Sequence, residues 1–128
     1  MSKLTSEYII ILDDLEKWKS IVTNNLTYYG CNNIIYFKTK EEIITSYNPN
    51  TTIAFIDINL DTQDKQNREG LKVCKFFKQN VPKTTIVAMS SLENMANASR
   101  ENGADFFIQK TNFVQDFNSF IKQYTRKT

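Results

Sequence analysis

The run Thr51-Thr52-Ile53-Ala54-Phe55-Ile56-Asp57 turns apolar after two threonines and then ends on an acid. A short apolar run between polar loops reads as a strand buried on both faces. A carboxylate in the middle of such a strand would lose its hydration without compensation. At the carboxyl end it stands at the lip of the sheet, where open α/β folds bind ligands. Asp57 is therefore the first candidate for chemistry. The alternative is that it merely starts a turn or caps the next helix.

Other apolar runs repeat the pattern. Tyr8–Leu12 ends on Asp13-Asp14, Thr85–Met89 ends on Ser90-Ser91, and Phe106–Ile108 leads to Lys110. Ile34–Phe37 is a further short strand. Helical patterns lie between them. Leu15 to Tyr29 places Leu15, Trp18, Ile21, Val22, Leu26 and Tyr29 on one face, and Gly30 stops it. Thr39 and Glu42 have capping-box spacing ahead of Ile43, Ile44 and Tyr47, and Asn48-Pro49-Asn50 is a turn. Asp61 to Glu69 holds no apolar residue and reads as an exposed loop; with no apolar anchor, Asp61 to Arg68 is expected to be among the most mobile segments. Gly70 opens a helix with Leu71, Val73, Cys74, Phe76 and Phe77 inward, ended by Val81-Pro82. Glu93 to Asn102 is a weak helix closed by Gly103, and Asn112 to Tyr124 is the last helix. Strand–helix alternation repeated in this way predicts a parallel sheet with helices on both faces. The expected fold is α/β, a flavodoxin-like (βα)5 doubly wound five-stranded parallel sheet with strand order 2-1-3-4-5.

Length and composition narrow the function. A chain of 128 residues makes one domain with a real core. A net charge of +2, with the charges dispersed, argues against direct nucleic-acid binding, the basic end at Arg126-Lys127 aside. Histidine is absent, which removes serine-protease-like triads, most zinc sites and any phosphohistidine role. Cys31 and Cys74 are far apart and without metal-ligand spacing, as expected of reduced thiols in the cytoplasm. No run is long enough for a signal-peptide core or a membrane span.

In the expected strand order, the carboxyl ends of strands one, three, four and five share one edge. Asp13-Asp14, Asp57, Ser90 and Lys110 all fall there. Clustered carboxylates repel one another and call for a hard divalent cation such as Mg²⁺. A carboxylate beside a metal and a lysine is a possible nucleophile toward a phosphoryl group. Lys110 would neutralise charge on the phosphoryl oxygens, and Ser90 could donate a hydrogen bond to one of them.

These motifs resemble the receiver domain of two-component response regulators, in its stand-alone chemotaxis form. The resemblance runs from Tyr8 to about Tyr124. It rests on Ile11-Leu12-Asp13-Asp14, Phe55-Ile56-Asp57, Ala88-Met89-Ser90-Ser91, and Gly103-Ala104-Asp105 through Phe107-Ile108-Gln109-Lys110. It implies that Asp57 accepts a phosphoryl group from a phosphohistidine of a sensor histidine kinase or phosphotransfer protein. Asp14, Asp57 and the Asn59 backbone carbonyl would bind Mg²⁺, with Asp13 orienting its waters. Ser90 would move toward the phosphoryl group, Lys110 would pair with it, and Phe107 would be the switch aromatic. The switched surface would be helix four, strand five and helix five, read by a downstream protein. It further implies a single receiver domain over 1–128 without an effector domain, no membrane partner, and a monomer or weak phosphorylation-dependent dimer.

The chain departs from that pattern in three places. The loop after Asp57 is longer than usual and carries Asp61 where the family commonly has Pro. Thr111 follows Lys110 where Pro is usual, so a trans peptide is expected there. The switch position is Phe107, which lacks a hydroxyl. An atypical receiver that binds partners without phosphorylation is the alternative. A Mg²⁺-dependent phosphatase of the haloacid-dehalogenase kind would want an acid and a threonine where Asn59 and Asp61 stand. A flavodoxin-like electron carrier lacks a phosphate-cradling loop after strand one.

Overall fold

The structure is a computed structural model and describes residues 3–126; Met1-Ser2 and Lys127 of the basic end lie outside the described residues. Strands β1 (Ile9–Leu12), β2 (Ile34–Phe37), β3 (Ile53–Asp57), β4 (Thr85–Ser90) and β5 (Phe106–Gln109) alternate with helices α1 (Glu16–Tyr28), α2 (Lys40–Ser46), α3 (Glu69–Asn80), α4 (Ala96–Glu101) and α5 (Phe113–Arg126). The strands pair in parallel in the order β2-β1-β3-β4-β5, as the alternation predicts. No helix among the described residues is long and apolar enough to cross a membrane.

Strand periodicity divides the core in two. Ile9, Ile11, Phe55, Val87, Met89 and Ile108 face α1 and α5, while Ile10, Leu12, Ala54, Ile56, Ile86 and Ala88 face α2 and α3. On the first side, the Phe55 ring stacks against Phe117 at 6.0 Å and meets Phe120 edge-on at 5.7 Å. That seam fixes α5, and with it the segment that carries Lys110.

Local signals set most of the boundaries. Gly30 takes φ 90° just past α1, where a side chain would be strained. Thr39 accepts from the Glu42 amide at 3.1 Å, and the Glu42 carboxylate accepts from the Thr39 amide at 3.2 Å, completing the capping box. Helix α4 is shorter than its expected span. Asn94 sits at φ 61°, a left-handed conformation that a helix cannot continue through, so regular turns begin only at Ala96. Helix α5 is preceded by a 3-10 turn over Lys110–Asn112.

Register brings the acids together. Leu12 lies beside Ile56, so the next residues, Asp13 and Asp57, leave the sheet side by side. Helix α3 packs straight onto that exit. The Gly70 amide donates to the Ile58 carbonyl at 2.9 Å. A Cβ on Gly70 would stand 2.0 Å from the Asp57 carbonyl oxygen and 2.6 Å from the Ile58 Cα. In an unconstrained helix, Gly→Ala would gain about 1 kcal/mol. Here the collision dominates, and Gly70→Ala is expected to destabilise the protein by about 1–3 kcal/mol in a denaturant titration. A midpoint at or above that of the wild type would show that α3 does not press on the Asp57 backbone.

Candidate functional site

At the carboxyl edge of the sheet an ammonium lies between two carboxylates. Lys110 Nζ is 2.7 Å from Asp13 Oδ2 and 3.2 Å from Asp57 Oδ1. All three residues are buried: Asp13 is 0%, Asp57 3% and Lys110 7% exposed. Asp13 is held further by the Leu15 amide, which donates to its Oδ1 at 3.0 Å. The Tyr36 hydroxyl donates to the Asp13 carbonyl at 2.7 Å, tying the end of β1 to β2. Asp14 stands half-buried beside them. The Thr62 amide and hydroxyl both donate to its Oδ2, at 3.1 and 3.0 Å, while its Oδ1 is buried and unpartnered.

Lys110 reaches this position through a trans peptide. Gln109 anchors the approach. Its amide donates to Asp116 Oδ2 at 2.9 Å, and its side-chain amide donates to the Ser90 and Leu92 carbonyls at 3.2 Å each. The ammonium also lies 4.9 Å from the centroid of the Trp18 ring, within cation–π range. Two carboxylates, an aromatic face and a pinned backbone together aim the lysine.

One ammonium does not balance three acids. Burial pushes the Asp57 carboxyl up to about 8, Asp13 repels it further, and Lys110 opposes both. Burial likewise raises Asp13 against the pull of Lys110. Oxygen atoms of Asp13, Asp14 and Asp57 lie within 4.8 Å of one another. A divalent cation fits this donor set: it is all oxygen, it is short of positive charge, and it includes the buried, unpartnered Asp14 Oδ1. The cavity beside it is about 150 Å³, lined in part by Asp14, Trp18, Asp57, Thr62, Lys65 and Lys110. A larger cleft of about 310 Å³ at the amino ends of β1 and β2 has no acidic or basic side chain in its lining.

The structure thus gathers Asp13, Asp14, Asp57 and Lys110. Ser90 is buried at the end of β4, where its hydroxyl oxygen accepts from the Leu92 amide at 2.9 Å. Asn59 is half-buried beside the cavity. Its side chain is engaged in the following loop, accepting from the Asp61 amide at 2.9 Å and donating to the Asp64 carbonyl at 3.3 Å. Phe107 does not line the cavity; it is half-buried on β5, next to Ala88.

Sequence reasoning gave no role to Thr62, Lys65 or Gln109, and read Trp18 only as part of a buried face. Trp18 stands one helical turn after Asp14, a spacing that could have placed it over the site. The Asp61–Glu69 loop is exposed through Gln66, as expected, but it is well anchored. Asp61, Asp64 and Asn67 each accept the amide two residues on, at 3.0 Å, and Asn67 also accepts the Leu60 amide at 3.1 Å. Asx residues spaced by three were the signal for this run of turns.

The surplus negative charge has a consequence for stability. In chelator at neutral pH the Asp57 carboxyl, pushed up to about 8 by burial and by Asp13, must take up a proton on folding; Asp57→Asn removes that cost and keeps an acceptor for Lys110. Its unfolding free energy is expected to exceed that of the wild type by about 1–2 kcal/mol. A loss of stability on the same substitution would mean that Lys110 alone neutralises the cluster.

No protein-family model matches the chain, and no curated protein matches it. Solved structures do. The response regulator DrrB of Thermotoga maritima, described as an OmpR/PhoB homologue, superposes with a TM-score of 0.77 at 19% identity, covering 94% of this chain and 53% of that one. The chain therefore spans about half the length of that protein. The receiver domain of NtrX from Brucella abortus gives a TM-score of 0.75 at 22% identity, covering 94% of this chain and 98% of that one. Response regulator TrrA of Thermotoga maritima, solved in complex with Mg²⁺ and beryllofluoride, gives 0.75 at 16% identity, covering 91% and 97%. The chain has the fold of response-regulator receiver domains.

Proposed function

We propose that this protein is a phosphorylation-controlled receiver whose acceptor is Asp57. One observation carries the reading: at the carboxyl edge of a receiver-fold sheet, buried Lys110 bridges Asp13 and Asp57, and an Asp14 oxygen is left for a cation. A structural neighbour solved with Mg²⁺ and beryllofluoride supports it.

In this reading an Asp57 carboxylate oxygen forms a bond to phosphorus. The phosphorus–nitrogen bond to the imidazole of a kinase or phosphotransfer protein breaks, and the imidazole keeps the electron pair. Lys110, 3.2 Å from Asp57 Oδ1, neutralises charge on the phosphoryl oxygens. Ser90 donates its hydroxyl to one of those oxygens after leaving the Leu92 amide. Asp13, Asp14, Asp57 and the Asn59 carbonyl would hold Mg²⁺, which supplies charge neutralisation for the transferred group. The protein changes its own phosphorylation state and turns over no other substrate.

Readout follows from what Ser90 is tied to. Gln109 links the Ser90 and Leu92 carbonyls to β5, so a shift of Ser90 pulls on that strand. Helix α4 is six residues long and buries only Ser99 fully, which leaves little to resist movement. The α4–β5–α5 face, with Phe107 on it, is the surface we assign to a downstream protein.

Acetyl phosphate with Mg²⁺ is expected to add one phosphoryl group to the wild type and none to Asp57→Asn, read by intact-protein mass spectrometry. Equal labelling of the variant, or none of the wild type, would reject the acceptor; the latter result would favour phosphorylation-independent partner binding. In NMR, beryllofluoride should shift resonances from Ser90 through Phe107 as well as those beside Asp57. Shifts confined to the neighbourhood of Asp57 would reject the assigned face.

A further inference from the structure

We infer that Thr62 is a positioning residue for the metal site: the long loop after β3 orients Asp14 as a ligand and thereby sets cation affinity. The inference rests on the divalent-cation reading above and concerns a residue 48 positions from its partner in the chain.

Asp14 is the least constrained of the three acids by the sheet itself. Asp13 is fixed by Lys110 and the Leu15 amide, and Asp57 is the last residue of β3. Asp14 accepts two hydrogen bonds from one loop residue, both on Oδ2. Two donors on one oxygen stop the carboxylate from rotating. The other oxygen, Oδ1, stays buried with no protein partner. A monodentate ligand whose second oxygen is hydrogen-bonded has this arrangement.

The loop can do this because it is built. The Asx turns at Asp61, Asp64 and Asn67 fix its path. The Asn59 side chain bonds Asp61 and Asp64, which lie on either side of Thr62. Arg68 closes the far end by donating to the Lys65 and Asn67 carbonyls at 2.7 and 2.8 Å. By linkage, a loop that orders Asp14 for the cation is itself held more tightly once the cation is bound.

The test is Mg²⁺ titration without any phosphodonor, by calorimetry or by fluorescence of Trp18, the single tryptophan, which lines the cavity. Thr62→Val removes the hydroxyl and keeps the backbone amide; Thr62→Ser keeps both donors. Thr62 is exposed, so both variants should melt with the wild type. The valine variant is expected to bind Mg²⁺ roughly tenfold more weakly, and the serine variant close to wild type. Mg²⁺ should also slow hydrogen exchange at the Thr62 amide in the wild type. Unchanged or tighter binding by Thr62→Val, or a serine variant as weak as valine, would overturn the inference. A wild type that does not bind Mg²⁺ would overturn it together with the cation reading. Thr62-dependent Mg²⁺ binding without phosphorylation would leave it standing and reject only Asp57 as acceptor.

Discussion

The ammonium of Lys110 between Asp13 and Asp57 is the contact on which the rest of the site depends. Parallel pairing of β1 with β3 forces two carboxylates out of the sheet next to each other, at positions stripped of water. Without a cation that arrangement would be strongly unfavourable. The lysine supplies one positive charge, and several unrelated features converge to place it: the phenylalanine seam that docks α5, the Asp116 bond to the Gln109 amide, and the Trp18 ring. The shortfall of charge that remains is what the proposed divalent cation would offset.

Much of this was legible in the sequence because the same physics governs both levels. Strands buried on both faces must be continuous apolar runs, so β1, β3 and β4 announce themselves, and the polar residue that ends each one lies at the same edge. With the flavodoxin-like strand order that strand–helix alternation suggests, and with Lys110 following β5, the quartet Asp13, Asp14, Asp57 and Lys110 falls at that edge. The start of α4 was not legible, because it is set by one asparagine in a left-handed conformation, which no periodicity reports. Gly70 read as a helix opener; its packing against the Asp57 backbone is a tertiary contact that only coordinates reveal.

The Asp61–Glu69 segment is the most instructive difference. A loop with no apolar residue has no hydrophobic reason to be ordered, and the expectation of a mobile loop rests on that. Hydrogen bonds donated by backbone amides to short polar side chains nearby offer another route, and this loop uses it at successive Asx residues. The outcome is a wall on the acidic cavity rather than a tether beside it. Trp18 and Thr62 reach the site from a helix and a loop that the strand-end pattern does not include, which is why that pattern could not find them.

The central claim is that these buried groups form one acidic centre that binds a cation and a phosphoryl-like anion together. Fluorine NMR of beryllofluoride added to the protein tests it most directly, because the anion reports its own surroundings. The account predicts bound resonances that appear only when Mg²⁺ is present and that vanish in Asp57→Asn. Bound resonances that persist in chelator or in the variant, or a wild type with none at saturating Mg²⁺, would contradict it.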